Sequence, residues 1–289
     1  MGDDEPVPEG DTVWLAGQRL HDALGGGVLL RSDFRVPRYA TVDLTGRSVL
    51  EVVSRGKHLL TRVTGGTTIH THFRMDGSWH LYRPGRRWTG GPAWQVRVVL
   101  ATADWEAVGY RLPVVDVVPT AREGELVGHL GPDLLGPDWD PAEASRRLAA
   151  DPRRAVGEAL LDQRVMAGIG NLYRTEMCFL LGVTPWVPVG DLPGTRAAVD
   201  LGHRLLEANK GTVEQVTTGD RSRGRWHWVF ERRECLRCGT RVATALQGDP
   251  ATARISYWCP RCQLGPAPPS RPVSELRGPR PAGRTRYRP

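Results

Sequence analysis

Residues 157–181 read GEALLDQRVMAGIGNLYRTEMCFLL, two short helical patterns joined by a turn that holds two glycines. Val156, Ala159, Leu160 and Gln163 fall at helical spacing before the turn, and Tyr173, Met177, Leu180 and Leu181 after it. The joint, Ala167-Gly168-Ile169-Gly170-Asn171, predicts a tight, exposed backbone turn with Asn171 as the N-cap of the second helix. Such a turn leaves N–H groups and the positive end of a helix dipole facing outward, which suits phosphate. An ordinary helical hairpin with a glycine corner fits the same residues. The choice rests on the rest of the chain.

Around this stretch the chain is helical, with apolar periodicity at 141–150, 154–164, 171–181 and 195–209 and a polar, Gly- and Arg-rich loop at 217–225. Beyond it, Cys235-x2-Cys238 and Cys259-x2-Cys262 are separated by twenty residues. Two close cysteine pairs can close a tetrahedral thiolate site, so a structural zinc on a β-hairpin is expected, and a pair of disulfides is the alternative. Cys178, beside Met177 and Phe179, reads as core. Residues 265–289 carry six Arg and one Glu among many prolines and read as a disordered basic tail.

Upstream the period changes. One helix is expected over 11–24, stopped by Gly25-Gly26-Gly27, and short strands over 47–54, 58–63, 67–71, 78–82, 94–102 and 105–110. Many short strands at close spacing suggest a β-sandwich or barrel. The Pro- and Gly-rich stretch 113–141 reads as a connection between domains. The fold class is therefore α+β and multidomain.

The formal charge of +7 is uneven, with −3 in residues 1–7 and +5 in residues 265–289. A moderately basic body fits a polyanionic partner, though a solvated surface gives the same charge. No run of 18 apolar residues exists and the first ten residues are acidic and polar, so neither a membrane span nor a secretory signal is read and a cytoplasmic location is expected. Of 39 basic residues only Lys57 and Lys210 are lysines, a bias that suggests a GC-rich genome. A lysine kept against that drift points to a need for a compact ammonium, which makes Lys57 a candidate for chemistry or a phosphate contact. A leftover surface lysine is the alternative, and the reading for Lys210.

The stretches PEGDTV, SRGKHLL, LDQRVMAGIGNLYRTE and CLRC…YWCPRC occur here in the order found in one family. Over residues 8–264 the sequence resembles the formamidopyrimidine-DNA glycosylase/endonuclease VIII family of base-excision repair enzymes, and within it the endonuclease VIII branch. The resemblance implies a β-sandwich domain at 8–125, a helix-two-turn-helix DNA-binding domain at 140–232 and a zinc hairpin at 233–264, with one structural Zn²⁺ on Cys235, Cys238, Cys259 and Cys262. It implies a DNA repair enzyme, a bifunctional glycosylase and AP lyase that flips a damaged nucleotide from the stack. The expected protein is a monomer associated with a bacterial nucleoid, acting on damaged double- or single-stranded DNA.

The resemblance makes the secondary amine of Pro8 the nucleophile, attacking C1′ to form an iminium. An α-amine titrates near 7.7–8.0, so roughly a tenth or more is unprotonated at neutral pH. Glu9 matches the acid that helps open the sugar ring. Lys57 matches the lysine near the damaged site. Gly170 and Asn171 match the helix-two-turn-helix phosphate contact, Arg254 the zinc-hairpin arginine, and Glu176 a glutamate near the amine. For Glu176 a helix-surface carboxylate, and for Arg254 a surface arginine, are the plain alternatives. His72 is a candidate phosphate contact or a structural strand histidine. Met75 matches the wedge that fills the gap left by the flipped nucleotide, with a core position as its alternative. The stretch YRLPVVDVV at 110–118 lacks the Arg and Phe found in purine-acting relatives, and the 217–225 loop is short. Oxidised pyrimidines are therefore the expected lesions.

Two departures stand out. The family's glutamate three residues after Glu9 is replaced by Thr12. Pro8 as written is internal, and an amide nitrogen has no free lone pair for a Schiff base. Translation from Val7 through a GTG codon, followed by removal of the initiator, would free Pro8; residues 1–6 of the extension 1–7 are then not translated. If Met1 is kept, a non-catalytic damaged-DNA-binding protein of the same fold is expected instead.

Overall fold

The computed structural model describes residues 8–276. In chain order the elements are α1 (Gly10–Leu24), β1 (Arg31–Phe34), β2 (Val49–Arg55), β3 (His58–Val63), β4 (Thr67–His72), β5 (Ser78–Tyr82), β6 (Val96–Ala101), β7 (Glu106–Tyr110) and β8 (Val114–Pro119). They continue with α2 (Glu123–Val127), α3 (Pro141–Ala149), α4 (Val156–Leu161), α5 (Asn171–Leu180), α6 (Thr195–Asn209), β9 (Ala243–Gln247), β10 (Arg254–Trp258) and α7 (Val273–Leu276).

The chain forms two compact units. The first comprises residues 8–147, 162–170 and 199–215. It contains two antiparallel four-stranded sheets, ordered β1-β6-β7-β5 and β2-β3-β4-β8. Their inner faces supply Phe34, Val98, Leu100 and Ala107 from one sheet and Val49, Val52, Leu59, Val63 and Ile69 from the other. Helix α1 adds Val13, Leu20 and Leu24 to the same core. The apolar/polar alternation of each strand fixes which face goes inward.

Two strands in this unit fall where the sequence predicts none. β8 lies in the stretch read as a connection, because Pro113 and Pro119 bracket it. It pairs only with β4, and proline is tolerated at the end of such an edge strand. β1 is also an edge strand, only four residues long, with a burial pattern that does not alternate. The domain bounds differ too: residues 162–170 and 199–215, expected within a helical domain at 140–232, belong to the first unit.

The second unit comprises residues 148–161, 171–198 and 216–276, with α4, α5 and the β9–β10 hairpin. Part of the expected disordered tail is ordered in it. The Thr244 N–H donates to Ser270 Oγ at 2.9 Å, the Arg271 N–H donates to the Thr244 carbonyl at 2.8 Å, and α7 follows. The cause is the otherwise unpaired edge of β9 in a two-stranded sheet, which the tail covers. Residues 1–7 and 277–289 lie outside the described residues.

Candidate active site

In the first unit, Glu9 immediately precedes α1 and is fully buried. It and Thr12 form a reciprocal capping box, in which the Glu9 N–H donates to Thr12 Oγ1 at 2.9 Å. Thr12, noted above as a departure, thus serves as the N3 partner. The Glu9 carboxylate also accepts the Gly170 N–H at Oε2, 2.7 Å away, and the Gly10 N–H donates to the Gly168 carbonyl at 2.9 Å. Pro8, directly before Glu9, is half-buried.

The glycine turn is therefore not the exposed turn that the sequence predicts. Ala167, Gly168, Ile169 and Gly170 are all buried. The Gly168 N–H donates to Gln163 Oε1 at 3.0 Å, while the Ile169 carbonyl accepts from Gln163 Nε2 at 2.8 Å and from Lys57 Nζ at 2.6 Å. The turn holds Glu9 and Lys57 in place, and its Gly168 and Gly170 N–H groups are taken up by Gln163 and Glu9. Gln163 can do this because α4 ends at Leu161 and does not run to residue 164 as expected.

Lys57 lies in a turn and not on a strand. Arg55 pairs with His58 across a two-residue hairpin whose first central residue, Gly56, has φ +57°. Glycine at that place suits a type II′ turn. The Gly56 N–H donates to Asp133 Oδ2 at 2.8 Å, and burial pushes the Asp133 carboxyl above the usual range. Asp133 thus anchors the turn that carries Lys57.

Met75 is 68% exposed, so it does not take the core position that was its alternative. It projects from the turn between β4 and β5, where the Gly77 N–H donates to the Phe73 carbonyl at 2.9 Å, Phe73 is in the core and Arg74 takes φ +48°. His72 Nδ1 accepts the Arg74 N–H at 2.9 Å, so the proton of the neutral ring is on Nε2. Burial, then the charges of Lys57, His70 and Arg74, hold His72 down to about 4.

His58 is likewise held down to about 3, first by burial and then by His72, His70, His129 and Lys57, and burial also lowers His70. These rings titrate below their unfolded value of about 6.5, so acidification favours the unfolded chain, which binds the protons first. Stability is fully present above pH 6.5 and is expected to fall between about pH 6.5 and 3, by up to about 1.4 kcal/mol per pH unit for each such histidine. Thermal denaturation at pH 7 and pH 5 checks this. His58→Gln should flatten the dependence, and an unchanged slope would show that His58 is not held neutral.

In the second unit, α5 begins at Asn171 itself. Instead of capping the helix, its side-chain amide donates to the Ile255 carbonyl at 3.0 Å, and its oxygen accepts from Arg174. Arg174, fully buried, reaches Gln247 Oε1 at 2.8 Å and Ser256 Oγ, tying α5 to the β9–β10 hairpin. Glu176 is fully buried, so it is not the helix-surface carboxylate. Its two oxygens accept the N–H groups of Trp228, Val229 and Phe230 at 2.7, 2.9 and 2.8 Å and the Thr217 hydroxyl. It organises the loop after residue 216. Arg254 is exposed at the start of β10.

The sulfur atoms of Cys235, Cys238, Cys259 and Cys262 lie within 4.8 Å of one another, and none is in a disulfide. Separations of 4.0 Å for Cys235–Cys262 and 3.5 Å for Cys238–Cys259 exclude S–S bonds of about 2.05 Å. They fit thiolates about 2.3 Å from one tetrahedral ion, whose sulfurs sit about 3.8 Å apart. The four residues can hold a metal ion.

The formamidopyrimidine-DNA glycosylase N-terminal domain matches residues 8–115, and the H2TH domain of the same glycosylase matches residues 130–203. The chain is 62% identical over 285 residues to the probable endonuclease 8 2 of Streptomyces coelicolor, covering 98% of this chain and 99% of that protein. The chain belongs to the formamidopyrimidine-DNA glycosylase/endonuclease 8 family. Within this family it is 46% identical to the DNA-(apurinic or apyrimidinic site) lyase Nei2 of Mycolicibacterium smegmatis, over 89% of this chain and 99% of that one. Its fold matches that of the Lactococcus lactis formamidopyrimidine-DNA glycosylase, solved with DNA containing an AP site, at a TM-score of 0.72 and 19% identity over 89% of this chain and 100% of that one.

In this endonuclease 8 relative the structure brings Glu9, Lys57 and Gly170 together within one unit, and places Asn171, Glu176 and Arg254 in the other. Sequence reasoning named His72 but missed the roles of Gln163 and Asp133, which clamp the two turns, and the histidines His58 and His70. The signal for Gln163 was a polar residue on the otherwise apolar side of a short helix pattern. Asp133 gave none.

Proposed function

We propose that the protein is a base-excision repair DNA glycosylase with AP lyase activity, acting on oxidised pyrimidines through the amine of Pro8. The observation that carries this reading is the fixing of Glu9, next to Pro8, by the Gly170 N–H at 2.7 Å, with Lys57 bound to the same turn. A buried carboxylate beside an N-terminal amine is suited to general acid–base work at the sugar. The Pro8 nitrogen lone pair attacks C1′, and the glycosidic bond breaks with its electron pair leaving on the base. The nitrogen then forms an iminium with the opened sugar, Glu9 donating to the ring oxygen. Loss of the proton from C2′ expels the 3′ phosphate, a second elimination expels the 5′ phosphate, and water releases the enzyme.

This needs a free amine on Pro8, which initiation at Val7 and removal of the initiator supplies. Residues 110–118 support the pyrimidine preference, since they are taken up by the end of β7 and by β8 rather than by a separate wedge-bearing hairpin. Met75 is the wedge, and His72 and Arg254 contact phosphate. Asn171 and Glu176 support the hairpin and the following loop. We assign one structural Zn²⁺ to the four cysteines. Zinc analysis should find one ion per chain, and chelation is expected to abolish DNA binding while leaving the β-sheet signal in circular dichroism. The protein works as a monomer on damaged DNA, single- or double-stranded, at the nucleoid.

The test uses duplexes carrying thymine glycol, dihydrouracil or 8-oxoguanine, with borohydride present. The pyrimidine lesions are expected to give a covalent adduct mapping to Pro8 and gaps with phosphate at both ends. Binding without an adduct would favour the non-catalytic damaged-DNA-binding reading. Faster removal of the purine would overturn the lesion class.

A further inference from the structure

Four histidines and one aspartate that the chemistry above leaves largely unused gather on one face of the β2-β3-β4-β8 sheet and at its rim. His58 on β3 pairs with His72 on β4, and His70 on β4 pairs with Asp116 on β8. They alternate with Leu59, Ile69 and Val115 of the core, so they share the opposite face. His58 Nδ1 is 2.8 Å from His70 Nε2, and His70 Nδ1 is 3.2 Å from Asp116 Oδ2. Asp116 Oδ1 also accepts from the Tyr39 hydroxyl at 3.2 Å and has Arg38 at 3.9 Å.

The hydrogen bonds set the tautomers. A carboxylate only accepts, so His70 Nδ1 carries a proton and donates it to Asp116. A neutral His70 then accepts at Nε2, which makes His58 Nδ1 the donor and leaves His58 Nε2 a bare lone pair. His58 Nε2 has no hydrogen-bond partner among the described residues, and the ring is half-buried. Its neighbour His72, 4.7 Å away edge to face, has the opposite polarity, with Nε2–H unpaired among the described residues. One imidazole therefore offers a donor and the next an acceptor, beside the turn that carries Lys57. A phosphodiester oxygen can only accept. It suits His72 as it stands and suits His58 only after a proton arrives.

We propose that His58 is a further phosphate ligand, and that His70 and Asp116 form a relay through which docking of a DNA phosphodiester takes up one proton from solvent. The step balances. A solvent proton bonds to His58 Nε2, the Nδ1 proton shifts along the 2.8 Å hydrogen bond to His70 Nε2, and the cation ends on His70 beside the Asp116 carboxylate. His58 stays neutral and now donates to the phosphate. Without the anion the site resists the proton, because it is desolvated and faces Lys57 from the turn, His72 and Arg74 beyond β4, and His129 after α2. Asp116, at the far end of the relay, opposes them. A docked phosphate reverses that balance.

The proposal rests on the reading that this face binds DNA. It is tested by calorimetry of the whole protein with a duplex containing tetrahydrofuran, an abasic analogue that cannot form the iminium, near pH 6.5 in two buffers of different ionisation heat. The wild type is expected to take up close to one proton per duplex, with binding tightening by up to about tenfold for each pH unit lowered. His58→Gln and Asp116→Asn are each expected to remove at least half of that uptake, whereas His72→Gln weakens binding at every pH and leaves the uptake intact. Histidine ¹⁵N spectra of the unmodified protein provide a reading independent of any variant, with His58 Nε2 unprotonated when free and protonated in the complex. Uptake unchanged in His58→Gln, or a bare Nε2 in the complex, overturns the proposal. Failure of the wild type to bind the duplex at all overturns the DNA-binding reading and the proposal with it, and is recognised by the absence of binding heat.

Discussion

Protein whose first residue is Pro8 is expected to be captured by borohydride on abasic-site DNA, and protein that keeps residues 1–7 is expected to give no adduct. The nitrogen of an internal proline is a tertiary amide whose lone pair is delocalised into the carbonyl, so no fraction of it is nucleophilic. As a chain terminus the same atom is an amine with roughly a tenth or more unprotonated at pH 7. The difference is all or nothing. Mass spectrometry of the terminal peptide of native protein, read beside trapping with each form, decides it. An adduct from the blocked form that maps to Lys57 would move the nucleophile to that lysine and remove Pro8 from the mechanism.

Gly170→Ala is expected to leave the fold in place and cut base removal by about a hundredfold or more, the scale on which a positioned acid or base contributes. An added methyl at 170 would lie 2.7 Å from Glu9 Cδ and 2.7 Å from Oε1. Glu9 is fully buried and its carboxylate accepts the Gly170 N–H, so the methyl falls on the group that this bond holds. The φ of residue 170 is not in the left-handed region, so alanine meets no backbone penalty there. The cost is therefore focused on the carboxylate. Gly10→Ala provides the contrast, since its methyl would meet the Gly168 Cα at 2.9 Å, a backbone atom. That change is expected to cost about 1–3 kcal/mol in stability as overpacking does. Single-turnover kinetics and thermal denaturation separate the two. Wild-type rates in Gly170→Ala would show that Glu9 does not act where the structure holds it.

The elements with strong periodicity were legible before the structure: β3, β5 and α6 have the bounds that the sequence predicts. β1 and β8 were not, because an edge strand buries too little to need alternation and tolerates proline. The four cysteines declared their cluster by spacing alone. The glycine turn was located correctly and its exposure was not, since nothing local to Gly168 or Gly170 reveals that their polar groups meet Gly10, Glu9 and Gln163. Lys57 stood out by its rarity, but Asp133, which fixes the turn beneath it, is one aspartate among many in the sequence. Thr12 looked like a loss relative to the family and proves to be the capping partner of Glu9.

The bond from the Gly170 N–H to Glu9 spans 161 residues of chain. A ribosome adding about 5–20 residues per second needs about 8–32 s to make that stretch. Contacts of such long range close late because loop entropy opposes them. The nascent chain thus exposes its opening residues well before the backbone group that seats Glu9 exists. A product cut short before Gly170 would carry the same first residues and all eight strands of the two sheets, yet no seated carboxylate. Seating of the carboxylate thus reports that synthesis has passed Gly170, and shorter fragments lack it.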